Sequence, residues 1–305
     1  MNGPAPKDPD VPPLPAAPPP EEWARVAREA LLEDGASEDV TGRAFVPQGA
    51  AAHAVVTAKQ DGTICGLPGV LAVLRAASPR IVFTRLVKEG TEVAKGTEVC
   101  AMGGPARGIL EAERSALNLL ARLSGVATRA RLYARAVEGT GVTVRSTRKT
   151  TPGLRVLEHY AAAVGGVNPH RGGLREAVLA KENHFKASGM PLDRAIKAAW
   201  TKAPSGVFFA VEVETLGELC HALEAGVDLV LLDDFPLEQV RRAVEERNAR
   251  GLGRHPLLEA SGGITLENVR AFAETGIERV SVGDVTHGAG WLDLSLSLVD
   301  EPRGS

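Results

Sequence analysis

The spacing of apolar residues divides the chain into a helical start, a stretch of short strands, and a second half in which strands and helices alternate. Residues 21–32, E-E-W-A-R-V-A-R-E-A-L-L, place their apolar side chains on one stripe, which predicts an amphipathic helix. Between residues 51 and 110, runs such as H-A-V-V-T-A and I-V-F-T-R-L-V are separated by D-G, E-G and K-G turns. We therefore expect a small α+β domain with an antiparallel sheet in this region.

A long helical pattern follows over residues 111–137, and Ser124 and Gly125 are expected to break or kink it. Beyond this helix, six strand-like runs mostly alternate with helical segments. Two of these helices, 215–226 and 265–276, begin at a threonine that suits an N-cap and end at a glycine that suits a C-cap. Repeated strand–helix–strand units predict right-handed crossovers and a parallel sheet, which is either closed into a barrel or open and doubly wound.

Composition and charge narrow the class of protein. The 305 residues are 44% hydrophobic and 24% charged, as in globular proteins, and the net charge of −3 gives no bulk attraction to nucleic acid or to an anionic membrane. The first 20 residues are dominated by proline and alanine and are expected to form a disordered tail. Three separated cysteines, the lack of an 18-residue apolar stretch and the lack of a signal-peptide core favour a cytoplasmic location.

Polar or small residues follow the six strands of the second half, always on the carboxyl-terminal side. Because these strand ends meet on one face of a parallel α/β fold, where active sites are built, this face is predicted to bind a ligand. The cations are Arg148, Lys149, His170, Arg171 and Lys181. The carboxylates are Glu212 and Asp233, and the small or backbone-exposing residues are Ser261, Gly262, Gly263, Ser281, Val282 and Gly283.

The residue types in this set indicate what the ligand is. Guanidinium groups offer a planar fork of donors to each carboxylate, so the cations suit a substrate with several carboxylates. The two carboxylates suit sugar hydroxyls and a hydrated magnesium ion, and glycine-rich turns that lead into helices suit a phosphate. The predicted ligands are therefore a polycarboxylate and a phosphorylated sugar with Mg²⁺.

Some of these residues also have ordinary explanations. Taken alone, His170 and Arg171 fit a plain surface loop as well as a binding site. One of Glu212 and Glu214 in V-E-V-E is expected to be an outward-facing surface residue. Lys181 leaves an apolar strand, and a buried lysine without a role is uncommon.

The ordered motifs of the chain resemble those of the quinolinate phosphoribosyltransferase family, and the resemblance extends over residues 22–298. The motifs are E-R-S-A-L-N-L-L-A-R-L-S-G-V-A-T (113–128), T-R-K-T-T-P-G (147–153), H-R-G-G-L (170–174), K-E-N-H (181–184), V-E-V-E (211–214), L-L-D-D-F (231–235) and E-A-S-G-G-I-T (259–265). The resemblance implies an α/β protein with an N-terminal α+β sandwich domain followed by an incomplete parallel α/β barrel. The implied domains are residues 21–117, with 287–305 returning to them, and residues 118–286.

The resemblance also implies an activity. The enzyme would transfer the phosphoribosyl group of phosphoribosyl pyrophosphate to quinolinate, with decarboxylation, and would give nicotinate mononucleotide, pyrophosphate and CO₂ for NAD biosynthesis. Mg²⁺ would be the cofactor. The chain would form at least a homodimer, in which Arg114 reaches the quinolinate site of the partner subunit.

Each candidate site residue receives a role from the resemblance. Arg148, Lys149, His170, Arg171 and Lys181 would hold the two quinolinate carboxylates, with Thr150 in the same binding loop. Glu212 and Asp233 would contact the ribose hydroxyls and Mg²⁺, and together with Lys149 they are the expected catalytic residues. Phosphate would bind at Ser261, Gly262 and Gly263 and at Ser281, Val282 and Gly283.

Two positions depart from the family pattern, and three alternatives stay open. Asp234 stands where the family often has asparagine, and Ser146 stands where it usually has aspartate. The alternatives are a paralogue of the same fold linked to molybdenum uptake, an enzyme that uses nicotinate without decarboxylation, and a non-catalytic binding protein of this fold.

Overall fold

The structure, a computed structural model, describes residues 16–300. The first 15 residues of the expected tail lie outside this range, and residues 16–19 precede the first helix without regular structure. The helices are α1 (Pro20–Glu33), α2 (Val40–Phe45), α3 (Leu67–Ala77), α4 (Ala106–Ala136), α5 (Arg155–Val164), α6 (Glu182–Ser188), α7 (Leu192–Trp200), α8 (Leu216–Ala225), α9 (Leu237–Ala249) and α10 (Val269–Ala273). Two short 3-10 helices cover Ala36–Glu38 and Gly283–Val285.

The strands form two larger sheets and one small one. They are β1 (Ala51–Ala58), β2 (Gly62–Thr63), β3 (Val82–Arg85), β4 (Glu92–Val93), β5 (Glu98–Pro105), β6 (Thr143–Arg145), β7 (Ala177–Ala180), β8 (Phe208–Val213), β9 (Leu229–Asp233), β10 (Leu257–Ser261), β11 (Arg279–Ser281) and β12 (Leu294–Val299). Among residues 16–300, no helix combines the length and the apolar character that are needed to cross a membrane.

The chain divides into two compact units. Within the described residues, the first contains 16–131, then Thr151–Gly166, then 288–300, and the second contains Leu132–Thr150 and Val167–His287. The segment 151–166 joins the first unit because Glu158 of α5, fully buried, accepts hydrogen bonds from Arg122 of α4 at 2.8 and 2.9 Å. The boundaries 21–117 and 118–286 that were expected from the sequence stay a prediction.

An antiparallel sheet forms the centre of the first unit, as the strand pattern predicts. Its order is β12-β1-β5-β3, so the last strand of the chain pairs with the first. The amphipathic pattern of residues 21–32 is confirmed as α1, whose buried residues Trp23, Val26 and Ala27 share one face.

Helix α4 shows that the expected break is wrong, because the helix runs without interruption through Ser124 and Gly125. The Oγ atom of Ser124 accepts a hydrogen bond from the backbone N–H of Cys65 at 3.0 Å and donates one to the Cys65 carbonyl at 3.1 Å. A Cβ atom at Gly125 would lie 3.1 Å from the Cα atom of Trp291. The small residues therefore admit neighbouring backbone, and they do not end the helix.

The second unit is built on a parallel sheet of six strands in the order β6-β11-β10-β9-β8-β7. The last five strands follow one another in chain order, and the first strand, β6, pairs with the last, β11. This is the cyclic order of a barrel, whereas a doubly wound sheet reverses direction near its middle. Asn168, in the segment that connects β6 to β7, forms an isolated parallel bridge with Arg145 of β6. The prediction of an incomplete parallel barrel is therefore confirmed.

The two capped helices of this unit behave differently. Helix α8 begins after Thr215, whose hydroxyl accepts from the Glu218 N–H, and ends at Gly226, so this prediction is confirmed. The helix expected from residue 265 is wrong in its start, because α10 begins only at Val269. Asn268 accepts from the Thr265 N–H at 2.8 Å and donates to the Gly263 carbonyl at 2.9 Å, which holds this stretch as a turn.

Candidate active site

Strand register arranges the inward-facing side chains of the barrel in rows. The row farthest from the carboxyl ends of the strands is an apolar cluster made by Leu179, Ala210, Leu229 and Leu257. Two residues further along each strand, the row contains Glu212, Leu231, Glu259 and Arg279. The row nearest the carboxyl ends contains Asp233, Ser261, Ser281 and Arg145. The interior therefore changes from apolar to charged toward the face on which the sequence predicts the site.

Glu212 is buried inside the barrel, whereas Glu214 is exposed. The two glutamates are two residues apart and alternation gives them the same face, so the difference arises because β8 ends at Val213. Its carboxylate forms an ion pair with the Nζ atom of Lys181 at the end of the neighbouring strand β7. Burial raises the pKa of Glu212, the Lys181 ammonium opposes this shift, and the charges of Asp233 and Glu214 add to it. The charges of Glu212 and Asp233 therefore act on each other, and the Lys181 ammonium partly offsets them.

Lys181 was expected to be buried, and this expectation is wrong: its side chain is 45% exposed. The lysine lies at the N-terminus of α6, where its backbone N–H donates to the Nδ1 atom of His184 at 3.0 Å. The last residue of K-E-N-H thus has a local structural role. The exposed ammonium keeps Lys181 accessible to a ligand while it pairs with Glu212.

Among residues 16–300, no group of three or more His, Cys, Asp or Glu side chains is arranged to hold a metal ion. Mg²⁺, however, commonly takes only one or two protein carboxylates, together with water and substrate phosphates. Glu212 and Asp233 supply oxygen donors of this kind on adjacent strands. The donor set fits a magnesium ion that arrives with a phosphorylated substrate.

The cations of the site lie on the loops after β6 and before β7. Arg148 is half-buried, and its Nε atom has no hydrogen-bond acceptor in the described part of the chain. Arg171 donates from Nη1 to the Ala177 carbonyl at 2.8 Å. Burial lowers the pKa of Arg171, the charge of Arg148 lowers it further, and Glu176 opposes both. The two guanidinium groups are close enough to repel, which an anion between them would relieve.

His170 connects these cations to the barrel interior. Its Nδ1 atom accepts the Arg171 N–H at 2.8 Å, and its Nε2 atom lies 3.9 Å from Oε1 of Glu259. Burial lowers the pKa of His170, Glu259 opposes the shift, and Arg145, Arg171 and Arg279 favour it. His170 is thus a neutral imidazole near pH 7, with its proton assigned to Nε2 because Nδ1 accepts.

The loop that carries Lys149 and Thr150 is fixed by its backbone. The Lys149 carbonyl accepts from the Thr286 hydroxyl at 2.7 Å, and the Lys149 N–H donates to the Thr147 hydroxyl at 3.1 Å. The Thr150 N–H donates to the Arg148 carbonyl at 2.9 Å. The Lys149 side chain is exposed, so the anchoring leaves its ammonium free to turn toward a ligand.

Two glycine turns follow β10 and β11 at the carboxyl ends of these strands. Gly262 and Gly263 have φ values of 84° and 59°, and a Cβ atom at Gly262 would lie 2.9 Å from the Asp234 amide nitrogen. Within residues 16–300, the N–H groups of Gly262, Gly263 and Ile264 have no acceptor. Such consecutive N–H groups attract an anion. After β11, Gly283 begins the second 3-10 helix, following Ser281 and Val282.

Asp234, the departure from the family pattern, is itself in the left-handed region, with φ 53°. Its backbone N–H donates to the Ser261 carbonyl at 2.9 Å. Asparagine and aspartate are the residues that tolerate this conformation best after glycine. The position therefore has a backbone requirement that both residues meet.

Arg114 belongs to the first unit, on α4, where its side chain is exposed close to Asn118 and Trp291. The other candidate residues belong to the second unit, where the structure brings them to the carboxyl ends of the strands.

Sequence reasoning missed Arg145, Glu259 and Arg279, all of which are buried in the barrel. The available signal was a charge inside three apolar strand patterns, V-T-V-R, L-L-E-A and R-V-S-V.

The fold and the site define an α/β-barrel protein whose open end holds cations, a carboxylate pair and anion-binding backbone. Models of the quinolinate phosphoribosyl transferase N-terminal and C-terminal domains match residues 39–124 and 126–297. The chain belongs to the quinolinate phosphoribosyl transferase family.

Individual relatives agree with this assignment. The chain is 38% identical to a carboxylating nicotinate-nucleotide pyrophosphorylase of Mycobacterium leprae, over 89% of this chain and 95% of the relative. It is 37% identical to the corresponding protein of Rattus norvegicus, over 89% and 91%. The solved structure of nicotinate-nucleotide pyrophosphorylase from Francisella tularensis superimposes with a TM-score of 0.85, at 33% identity, and covers 93% of this chain and 98% of that one.

Proposed function

We propose that this protein transfers the phosphoribosyl group of phosphoribosyl pyrophosphate to quinolinate, with loss of CO₂, and forms nicotinate mononucleotide and pyrophosphate. Besides family membership, one observation carries the proposal: the carboxyl ends of the strands, which form the mouth of the barrel, bring together the cations near β6 and β7, the carboxylates of β8 and β9, and the glycine turns after β10 and β11. A dianionic pyridine suits the cations, and a phosphorylated sugar suits the carboxylates and glycine turns.

The residues receive the following roles in this proposal. Arg148, Arg171, His170, Lys181 and Lys149, with Thr150 in the same loop, bind quinolinate. Glu212 and Asp233 contact the ribose hydroxyls and hold Mg²⁺, while Ser261 to Gly263 and Ser281 to Gly283 bind phosphate. Lys149, Glu212 and Asp233 touch the reacting groups and are the catalytic residues.

The chemistry follows from orientation and charge. The pyridine nitrogen attacks the anomeric carbon as the C–O bond to pyrophosphate breaks. The bond between ring carbon C2 and its carboxylate then breaks, CO₂ leaves, and the electron pair stays on C2 beside the pyridinium nitrogen. A proton from water adds to C2 and completes nicotinate mononucleotide. Cations that fix the two carboxylates hold the ring nitrogen toward the sugar, and this positioning supplies much of the rate acceleration. Mg²⁺, when bound, supplies positive charge that offsets the charge of the leaving pyrophosphate.

We also propose that the chain acts as a homodimer or larger oligomer, with Arg114 reaching the quinolinate site of the partner subunit. The exposed position of Arg114 on α4 supports this role. Arg114→Ala should then lower activity, and inactive Arg114→Ala mixed with inactive Arg148→Ala should regain part of it through mixed dimers. The cytoplasmic location expected from the sequence stays a prediction.

A turnover assay tests the proposed reaction. Purified protein is mixed with phosphoribosyl pyrophosphate, Mg²⁺ and either quinolinate or nicotinate, and nicotinate mononucleotide is measured by chromatography. We expect product from quinolinate only. Product from nicotinate only would overturn the assignment of the cation cluster, and no product from either would favour the paralogue linked to molybdenum uptake or the binding protein.

A further inference from the structure

The guanidinium of Arg145 is buried without hydrogen-bond partners on two of its nitrogen atoms. Arg145 is 8% exposed, and its Nε and Nη1 atoms have no acceptor among residues 16–300. A buried charged donor that is left unpaired costs stability, so folds keep such a group only where something else compensates. An anionic ligand is one such compensation, and Arg145 stands in the row of side chains nearest the ligand face.

The neighbours of Arg145 place it beside His170 and Arg171, at the carboxyl ends of the strands. Its backbone pairs with Ser281 of β11 on one side and bridges to Asn168 on the other, two residues before His170. The charge of Arg145 acts on the imidazole of His170, which accepts the Arg171 N–H. The acceptor-free backbone N–H groups of Gly262 to Ile264 follow β10, and β11 lies between β10 and Arg145, whereas Ser281, which is also assigned to phosphate, is paired directly with Arg145.

The buried charges beside Arg145 do not balance. Among residues 16–300, Glu259, which is 1% exposed, is the carboxylate whose charge acts on Arg145, and it already accepts from the Ser281 hydroxyl. Arg279 is a second guanidinium near the same carboxylate, but it lies 5.9 Å over the ring of Phe208, at the start of β8 and away from the mouth. Burial lowers the pKa of Arg145 most, Arg279 lowers it further, and Glu259 opposes both. One positive charge is therefore in surplus, and it faces the ligand side.

We propose that Arg145 is a further substrate-binding residue, which donates from Nε and Nη1 to a carboxylate of the pyridine dicarboxylate. This inference rests on the proposed function. It assigns to Arg145 the deepest contact with the dianion, below the contacts of Arg148 and Arg171. The residue determines preference for the dicarboxylate, because a monoanion held by the upper cations leaves Arg145 unpaired.

Equilibrium binding to the full-length protein tests the proposal. Dissociation constants for quinolinate and for phosphoribosyl pyrophosphate are measured separately by calorimetry for wild type, Arg145→Met and Arg145→Lys. For Arg145→Met we expect quinolinate to bind about 10- to 100-fold more weakly, with phosphoribosyl pyrophosphate changed by less than about twofold. Arg145→Lys keeps the charge but loses the fork of donors, so its quinolinate affinity should be intermediate.

Arg279→Met is the matched control, because it removes the other guanidinium near Glu259 without reaching the mouth. We expect its affinity for quinolinate to stay within about twofold of wild type. Unchanged quinolinate binding in Arg145→Met, or equal weakening of both ligands, would overturn the role of Arg145. If Arg145→Met does not fold, wild-type quinolinate affinity in Arg145→Lys would overturn it. Wild-type protein that neither binds nor converts quinolinate would instead overturn the proposed function.

Discussion

Two buried arginines at opposite ends of the same barrel differ in how well they are paired. At the amino ends of the strands, Arg247 donates from Nη1 to Glu278 at 2.7 Å and to the Pro256 carbonyl at 3.2 Å. Glu278 also accepts from the Leu258 N–H at 2.9 Å. At the carboxyl ends, Arg145 has neither an ion pair nor an acceptor for two of its nitrogen atoms among residues 16–300.

The difference separates a charge that stabilises the fold from a charge that is available to a ligand. Removing either partner of a buried ion pair is strongly destabilising, and Arg247 has such a pair although its Nε atom, like that of Arg145, has no acceptor among residues 16–300. A cation without an ion pair loses little intramolecular bonding when it is replaced. Substitutions at the two ends should therefore have opposite signatures. Those at the amino end should lower stability, and those at the carboxyl end should lower substrate affinity.

Glu278→Ala should have the largest effect on stability. It leaves Arg247, which is 2% exposed, as a buried charge without its carboxylate, and breaking such a pair costs about 3–5 kcal/mol. We expect a loss of this size in the free energy of unfolding, measured with urea, and an unchanged kcat/KM per folded molecule. If Glu278→Ala had wild-type stability, or lost only quinolinate affinity, the proposed difference between the amino and carboxyl ends of the barrel would be wrong.

Arg148→Ala should show the reverse pattern. It removes charge-assisted hydrogen bonds to the proposed dianion, which should lower kcat/KM for quinolinate by about 100-fold or more. Because Arg148 is only half-buried and its Nε atom has no acceptor in the described chain, the free energy of unfolding should change by less than about 1 kcal/mol. Full activity in this variant would show that the carboxylates bind elsewhere.

These expectations show which parts of the molecule follow from sequence. The glycines and charges at strand ends locate the ligand face. Alternation in V-E-V-E does not separate the two glutamates, which share a face, and only the end of β8 at Val213 shows which of them is buried. The order of the strands depends on contacts between distant segments, so the local pattern did not choose between a barrel and an open sheet. Gly125 suggests a helix break when only the local sequence is considered. The structure shows instead that it makes room for the segment at Gly290 and Trp291, which is distant in the chain. Arg145 was missed because V-T-V-R does not reveal which side chains face the interior.

The pH dependence of stability sharpens the comparison through His170. Burial lowers the pKa of His170 below its ordinary value of 6.5, with Glu259 opposing and Arg145, Arg171 and Arg279 adding to the shift. Between pH 6.5 and the lower pKa of the native protein, the imidazole of His170 therefore carries a proton in the unfolded chain and not in the native protein. This contribution to stability is present above pH 6.5 and is lost as the pH falls toward the native pKa.

Urea unfolding of wild type and His170→Gln at pH 7.5 and 5.5 measures this contribution. Wild type should lose more stability than the variant between the two pH values. Equal losses would show that His170 titrates normally, and that the cations around it exert no net effect.

The smallest effect is expected at Asp234. Asparagine also tolerates the left-handed backbone, so Asp234→Asn should change the free energy of unfolding by less than about 0.5 kcal/mol. Asp234→Ala is the matched variant, and it should cost about 1 kcal/mol because alanine is less tolerant of a positive φ. Equal stability of the two variants would remove the backbone explanation for this position.

The most direct test of the central claim is the affinity of the wild-type protein for a dianion compared with a monoanion. Calorimetry with quinolinate and with nicotinate, under identical salt and pH, isolates the second carboxylate. The surplus of cations at the carboxyl ends predicts that quinolinate binds at least about 10-fold more tightly. Equal affinities, or tighter binding of nicotinate, would contradict the claim that this end of the barrel is built for a dicarboxylate.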